Sequence, residues 1–372
     1  MSQREYTFWA KALSSRYPAL TFVSIQINFW IAANIFLTVI LYLHDLMTSK
    51  VNHVPAAYDL KGLLILAVSI GIVYGLILGL ADYYLFQGYF RNKSLGKVLF
   101  IKTGISLAGI IAIITITRSV YTNGFMSAVM GNPMPDNEEL FRSTFHLLIF
   151  YYFFMTLLIS VINMVNKKFG PGVVIPLLFG KYRNPKEEHR IFMFMDLKGS
   201  TTLAERLGHL KYSALIQDSF LDINFAIRTV HTEIYQYVGD EIVLTWPMQY
   251  GLDNATFIRF YFECEKRFHE KSKYYLDKYG TLPLFKAGVH MGIVAAVEIG
   301  EIKKDIAYHG DTLNTAARIQ SLCNEYHKNL LVSDTVIAAM NGLPGYKIDK
   351  LGVVKLKGRE EEIEIVSVEP VF

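Results

Sequence analysis

The chain has 372 residues, of which 52% are hydrophobic, 14% aromatic and only 19% charged. Length allows two or three domains, and the composition is too apolar for one ordinary soluble domain, which points to a membrane part. A net charge of +4 makes no case for a nucleic-acid partner, and two cysteines (Cys264, Cys323) without a signal-peptide pattern argue against a disulfide framework and fit a reducing compartment.

Four apolar runs stand near 20–43, 63–86, 98–117 and 144–165. Each is close to the roughly 20 residues a spanning helix needs. None is followed by a small-residue cleavage site, so they read as retained anchors. Basic residues gather before the first run (Arg4, Lys11, Arg16), between the second and third (Arg91, Lys93, Lys97) and after the fourth (Lys167, Lys168, Lys181, Arg183, Lys186). The connection before the fourth run instead carries Asp136, Glu138 and Glu139. The positive-inside rule then places both termini in the cytoplasm of a multi-pass protein of the cell membrane. Asp82 and Lys102, near the cytoplasmic ends of the second and third runs, are expected to pair locally or reach the interface. Gln26, Asn28 and Asn34 are expected to make interhelical hydrogen bonds.

From Asn166 the pattern changes. Gly170, Pro171, Gly172, Pro176 and Pro185 interrupt "NKKFGPGVVIPLLFGKYRNP", so 166–187 reads as a connector and not as one helix or a coiled coil. Beyond it, strands and helices alternate. A buried strand, "RIFMFMDL", precedes a helix over 200–230 whose Ser200, Thr201 and Thr202 supply N-cap chemistry. A hairpin through "IYQYVGDEIVLTW" and a helix near 255–275 follow, then strands in "LFKAGVHMGIVAAVEIG" and "IKKDIAYHG". A helix at "DTLNTAARIQSLCNEY" and strands near 346–356 and 362–368 complete the chain. The order β-α-ββ-α-β with additions is the α+β ferredoxin-like plan. Four spans followed by a ferredoxin-like domain is therefore the expected architecture.

Gly239-Asp240 alone is an ordinary two-residue hairpin turn. Asp196, however, ends the first buried strand, and in a ferredoxin-like sheet that end and this turn can lie side by side. Two carboxylates held so close repel unless cations neutralise them. Oxygen-only ligation beside phosphates suits a pair of Mg²⁺ or Mn²⁺ ions. Glu241 reads as a turn residue, not a ligand. Gly199, Ser200 and Thr201 open a helix and offer backbone N–H groups to an anion. Asn314 and Arg318, four apart, share a helix face on which an amide and a guanidinium can hold a sugar oxygen and a phosphoryl group. Each feature taken singly is also what a turn, a helix start or a polar stripe looks like.

In this order the motifs resemble the class III nucleotidyl cyclases, the adenylyl and guanylyl cyclase homology domain, over roughly 188–370. "FMDLKGST" is similar to that family's first metal-aspartate motif, "QYVGDE" to its second, "LNTAAR" to its Asn and Arg motif and "KLKG" to its phosphate-lysine segment. The resemblance implies Asp196 and Asp240 as holders of two metals per site, with the Leu197 carbonyl as a further ligand. Asn314 would orient the ribose, Arg318 would stabilise charge on the α-phosphate, and Lys357 would contact the terminal phosphates. The family's base-reading positions fall on Gln236 and Ala307, neither of them the usual side chain. ATP is the implied substrate, with GTP as the alternative, and one complete motif set implies a homodimer with two shared sites. The implied domains are 1–165, 166–187 and 188–372. A diguanylate cyclase shares the hairpin but has Gly where Val238 stands and lacks "LNxAAR"; a membrane receptor with an inactive cyclase-like domain would be expected to lose one of Asp196, Asp240, Asn314 and Arg318.

Overall fold

The computed structural model describes residues 17–53, 59–87, 94–122, 138–169, 180, 182–227, 232–301, 304–340, 342–355 and 362–371. They fall into two compact units, one within 17–174 and the other within 175–372. Most of the connector, 170–179 and residue 181, lies outside the described residues.

The first unit contains α1 (Pro18–Asn52), α2 (Leu60–Gln87), α3 (Leu95–Thr122) and α4 (Glu138–Phe169). All four contain a stretch long and apolar enough to cross a membrane: Ala19–Asn52, Leu60–Tyr84, Gly96–Ile116 and Arg142–Asn166. Small residues let these helices approach closely, as lipid-embedded helices require. Gly71, Gly75 and Gly79 recur once per turn of α2, and a Cβ added at Gly75 would lie 2.6 Å from the Ile27 Cα of α1. Trp30, Tyr74 and Tyr152 interlock beside that seam, two pairs edge-on and one stacked. Two polar pairs bridge helices inside: Gln26 Nε2 donates to Asn163 Oδ1 at 3.0 Å, and the Tyr152 hydroxyl donates to Asn34 Oδ1. Asn28 departs from expectation. It lies about 200° round α1 from Gln26, faces outward and shows no interhelical bond among the described residues. Asp82 and Lys102 pair at 2.5 Å.

The second unit opens with β1 (Lys186–Leu197) and α5 (Ser200–Ile227), and then β2 (Glu233–Val238) and β3 (Glu241–Pro247) form the hairpin. Helices α6 (Thr256–Glu270) and α7 (Ser272–Tyr279) precede β4 (Phe285–Ile299), β5 (Asp305–His309) and α8 (Asp311–Ser321). The last elements are β6 (Leu330–Ser333), α9 (Asp334–Ala338), β7 (Tyr346–Lys355) and β8 (Glu362–Pro370). Strand order is β2-β3-β1-β4-β6-β8-β7, with β5 paired to β4. The run β2-β3-β1-β4, antiparallel throughout, is the ferredoxin-like order expected from sequence.

Some local details differ from expectation. Gly208 takes φ 71° and breaks α5 into two helices. The helix expected near 255–275 is two, divided at Lys271. Strand β6 and helix α9, four and five residues long, are too short to leave a periodic signal.

Alternation along β1 explains why both faces of the sheet are covered. Ile191, Met193 and Met195 enter the main core with Leu215 and Ile223 of α5 and Phe257 and Tyr261 of α6. Each fully buried side chain of this size contributes about 1.5–3 kcal/mol. Phe192 points the other way, into a smaller cluster with Val243, Val294 and Ala316, against which Phe194, Tyr235, Tyr308 and Leu313 pack.

Candidate active site

Sheet register delivers the first carboxylate. Asp196, one residue from the end of β1, stands opposite Glu241 on β3 and Lys286 on β4. The β2–β3 ladder closes at Val238 opposite Glu241, leaving Gly239 and Asp240 as a two-residue turn in which Gly239 takes φ 63°. The Asp240 side chain therefore lies beside Asp196. Burial and then the neighbouring Asp240 raise the Asp196 pKa above its ordinary value, against the opposing pull of Lys286. Glu241 is also raised, by burial first and then by Asp196 and Asp240.

Two side chains not expected from sequence hold one oxygen of Asp196. Lys286 Nζ lies 3.4 Å and Gln320 Nε2 3.3 Å from Asp196 Oδ2. A third, the hydroxyl of Tyr212 on α5, sits against Asp240 and Ser200. Asp240 Oδ2, by contrast, is buried with no hydrogen-bond partner. An unpaired buried carboxylate oxygen is expensive, and here it sits beside a second carboxylate. That donor set fits hard divalent cations. No group of three His, Cys, Asp or Glu side chains converges among the described residues. Two carboxylates would thus be completed by backbone and substrate oxygens. Leu197 fits such a role only through its backbone, since its side chain is buried in the core.

Gly199 takes φ 68°, with open space where a Cβ would point, so conformation and not crowding calls for glycine there. Ser200 begins α5 and Thr201 is exposed in its first turn. On α8, Asn314 is exposed, while Arg318 is half-buried and its Nη1 has no partner. Helix α8 lies directly on β4 at two glycines. A Cβ at Gly288 would meet Gln320 N at 2.1 Å, and one at Gly292 would meet Thr312 Oγ1 at 2.4 Å. This contact turns Gln320 toward Asp196. Asn314 and Arg318 lie about 240° and 200° round the helix from Gln320, on a different face from the one turned to Asp196. Gln236 is exposed on β2, whereas Ala307 is buried on β5. Lys357 lies outside the described residues.

The family described as "Adenylate and Guanylate cyclase catalytic domain" matches residues 183–368. Adenylate cyclase 2 of Rhizobium meliloti (strain 1021) is 34% identical over 203 residues, 55% of this chain and 56% of that protein. Guanylate cyclase 2G of Rattus norvegicus is 25% identical over 193 residues, 50% of this chain and 17% of that protein. The chain thus spans little more than half the length of the first relative and far less of the second. Among solved structures, a bacterial light-regulated adenylyl cyclase shares the fold, at 22% identity and a TM-score of 0.50 over 58% of this chain and 64% of that one.

Proposed function

The chain belongs to the adenylate and guanylate cyclase catalytic domain family, and on that premise we propose that it is a membrane-anchored adenylate cyclase, converting ATP to 3′,5′-cyclic AMP and pyrophosphate as a homodimer. The observation that carries this reading is the buried, unpartnered Asp240 Oδ2 beside an Asp196 whose pKa is raised.

Asp196, Asp240 and the Leu197 carbonyl would hold two Mg²⁺ or Mn²⁺ ions. When bound, such a pair activates the ribose 3′-hydroxyl and neutralises the triphosphate. The 3′-hydroxyl gives up its proton to solvent, its oxygen bonds to the α-phosphorus and the bond to the departing pyrophosphate breaks, so the protein supplies no nucleophile. Asn314 orients the ribose, and Arg318, through its unpartnered Nη1, stabilises charge on the α-phosphate. Backbone N–H groups at Gly199, Ser200 and Thr201 seat phosphate oxygens, as helix N-termini do. Lys357 serves the terminal phosphates. Lys286, already beside Asp196, is placed to add a positive charge there.

The opposed faces of α8 support the dimer. Gln320 serves Asp196 within one copy, which leaves Asn314 and Arg318 to meet the carboxylate pair of the second. Two-fold symmetry then makes two equal sites. Gln236 and Ala307 flank the base and match neither the usual adenine-reading nor the usual guanine-reading pair; the 34% identity to Adenylate cyclase 2 of Rhizobium meliloti supports ATP over GTP. The division 1–165, 166–187 and 188–372 separates anchor, connector and catalytic part, and the loop charges put the catalytic part in the cytoplasm.

The test uses the full chain in membranes, with Mg²⁺ or Mn²⁺ and either ATP or GTP, the products identified by mass. Cyclic AMP that disappears in Asp240→Ala is the expected result. Cyclic GMP alone would reassign the substrate, and no cyclic product from either nucleotide would leave a membrane receptor with an inactive cyclase-like domain.

A further inference from the structure

Three positions assigned above to the nucleotide, Gln236, Ala307 and Asn314, each adjoin a member of the small cluster on the second face of the sheet: Tyr235, Tyr308 and Leu313. We propose that Tyr235 and Tyr308 are positioning residues that set which purine the site accepts, by fixing β2 against β5. This rests on the cyclase reading and deepens it.

The base-reading positions make such a device necessary. Ala307 has no polar side chain, so Gln236 is left to discriminate. Its amide carries both a donor and an acceptor and can present either by turning over. Adenine offers a donor and an acceptor on the edge where guanine offers an acceptor and a donor. An amide that can turn over serves both, so discrimination falls to where β2 and β5 set their backbone groups and the Gln236 stem against the purine edge, which requires that the two strands be held in one place.

The cluster provides that hold. Strand β2 lies at one edge of the sheet and β5 pairs only with β4, so the two are not neighbours. Tyr235 bridges them. It is the extra residue of a β-bulge, since Ile234 pairs with Leu244 and Gln236 with Val243. Bulges of this kind redirect the side chains that follow. The Tyr235 ring packs 5.1 Å from that of Tyr308, and both rings meet Phe192, at 6.2 and 5.5 Å. The Tyr235 hydroxyl accepts a hydrogen bond from the backbone N–H of Tyr308 at 3.3 Å. On the far side, the Arg190 guanidinium lies 4.7 Å from the centroid of the Tyr308 ring. That guanidinium donates to Glu188 at 2.7 Å and to Glu233, on β2 itself, at 2.9 Å. Ring packing, one hydrogen bond and one buried cation thus tie β1, β2 and β5 together next to Gln236 and Ala307.

Tyr235→Phe keeps the ring and removes only the acceptor for the Tyr308 N–H; Tyr308→Leu removes the ring contact. Ile365→Val, in a separate buried cluster, is the control for loss of stability alone. In the full-length protein, ATP and GTP are compared both by kcat/KM for cyclisation and by equilibrium binding. Tyr235→Phe is expected to bring the ATP-to-GTP ratio about threefold to tenfold closer to unity. The change falls on KM, with kcat for ATP held within about twofold. Tyr308→Leu goes further in the same direction, and Ile365→Val lowers Tm without moving the ratio. An unchanged ratio in both tyrosine variants, or an equal loss for both nucleotides, overturns the proposal. If the wild-type protein binds nucleotide without cyclising it, the cyclase reading fails and the binding ratio alone decides. If it binds neither, both readings fall.

Discussion

Gly288→Ala should separate catalysis from folding. Gly288 lies on β4 beneath α8, and an alanine Cβ there would sit 2.1 Å from Gln320 N, 2.5 Å from its Cα and 2.6 Å from the Ala316 carbonyl oxygen. All three are backbone atoms, so no side chain can turn aside. Ordinary contact begins near 3.4 Å, and α8 must therefore rise from the sheet by about 1.3 Å. The Gln320–Asp196 hydrogen bond, already 3.3 Å, would not survive that movement, and Asn314 and Arg318 would shift with the helix. Overpacking of this kind costs about 1–3 kcal/mol, or roughly 2–12 °C in Tm for a domain of this size. Misplacement by about 1 Å lowers turnover about 100-fold. Cyclic-nucleotide production and thermal unfolding of the same full-length preparation would be measured together. Activity that falls only in proportion to the protein unfolded, or more than a third of wild-type turnover remaining, would show that α8 is not displaced by the added methyl group.

Other expectations follow from the same geometry. Asp240→Ala and Arg318→Ala should each reduce cyclisation by about 100-fold or more. Co-expressed, they should recover about a quarter of wild-type activity, because about half of randomly paired dimers are mixed and each of those has one intact site; no recovery would mean that a single copy completes its own site. In chelator, the folded chain binds the Asp196 proton more tightly than the unfolded chain does, because burial and Asp240 raise its pKa. The resulting stabilisation is full below the ordinary Asp range and is lost as pH rises through the raised value. Wild-type Tm should therefore fall relative to Asp196→Asn across that interval, and Mg²⁺ should close the gap; parallel curves would contradict the assignment. Gly75→Leu should open the α1–α2 seam, where even a Cβ would stand 2.6 Å from Ile27 Cα. Thermal unfolding in detergent should register a loss of about 1–3 kcal/mol, and an unchanged midpoint would refute the close packing.

Much of this fold was legible because its signals are local. Four long apolar runs, an apolar strand ending in Asp196 and a Gly-Asp turn between two β-rich segments need only a window of residues to be recognised. Lys286, Gln320 and Tyr212 had no such signal. Lys286 sits in an apolar strand where nothing nearby marks its function, and it meets Asp196 only because β4 pairs with β1 in one register. Tyr212 reaches Asp240 from α5 after a break at Gly208 that changes the course of the helix. These are tertiary facts, set by register and packing over long sequence separations.

Gln320 shows where local reasoning ends. Helical spacing places Asn314 and Arg318 on one face and Gln320 on another, and that much can be counted from "LNTAARIQ". What each face meets depends on Gly288 and Gly292, two positions in a different element that let the helix settle onto β4. Once it has settled, the face bearing Gln320 is spent on Asp196 of the same copy, and the face bearing Arg318 keeps a buried guanidinium nitrogen without an acceptor. Desolvating a charged donor and leaving it unpaired is costly. An anion there would recover that cost, and the carboxylate pair, also incompletely satisfied, would recover its own with cations. Both deficits are met if a polyphosphate and its metals bridge two copies of the chain.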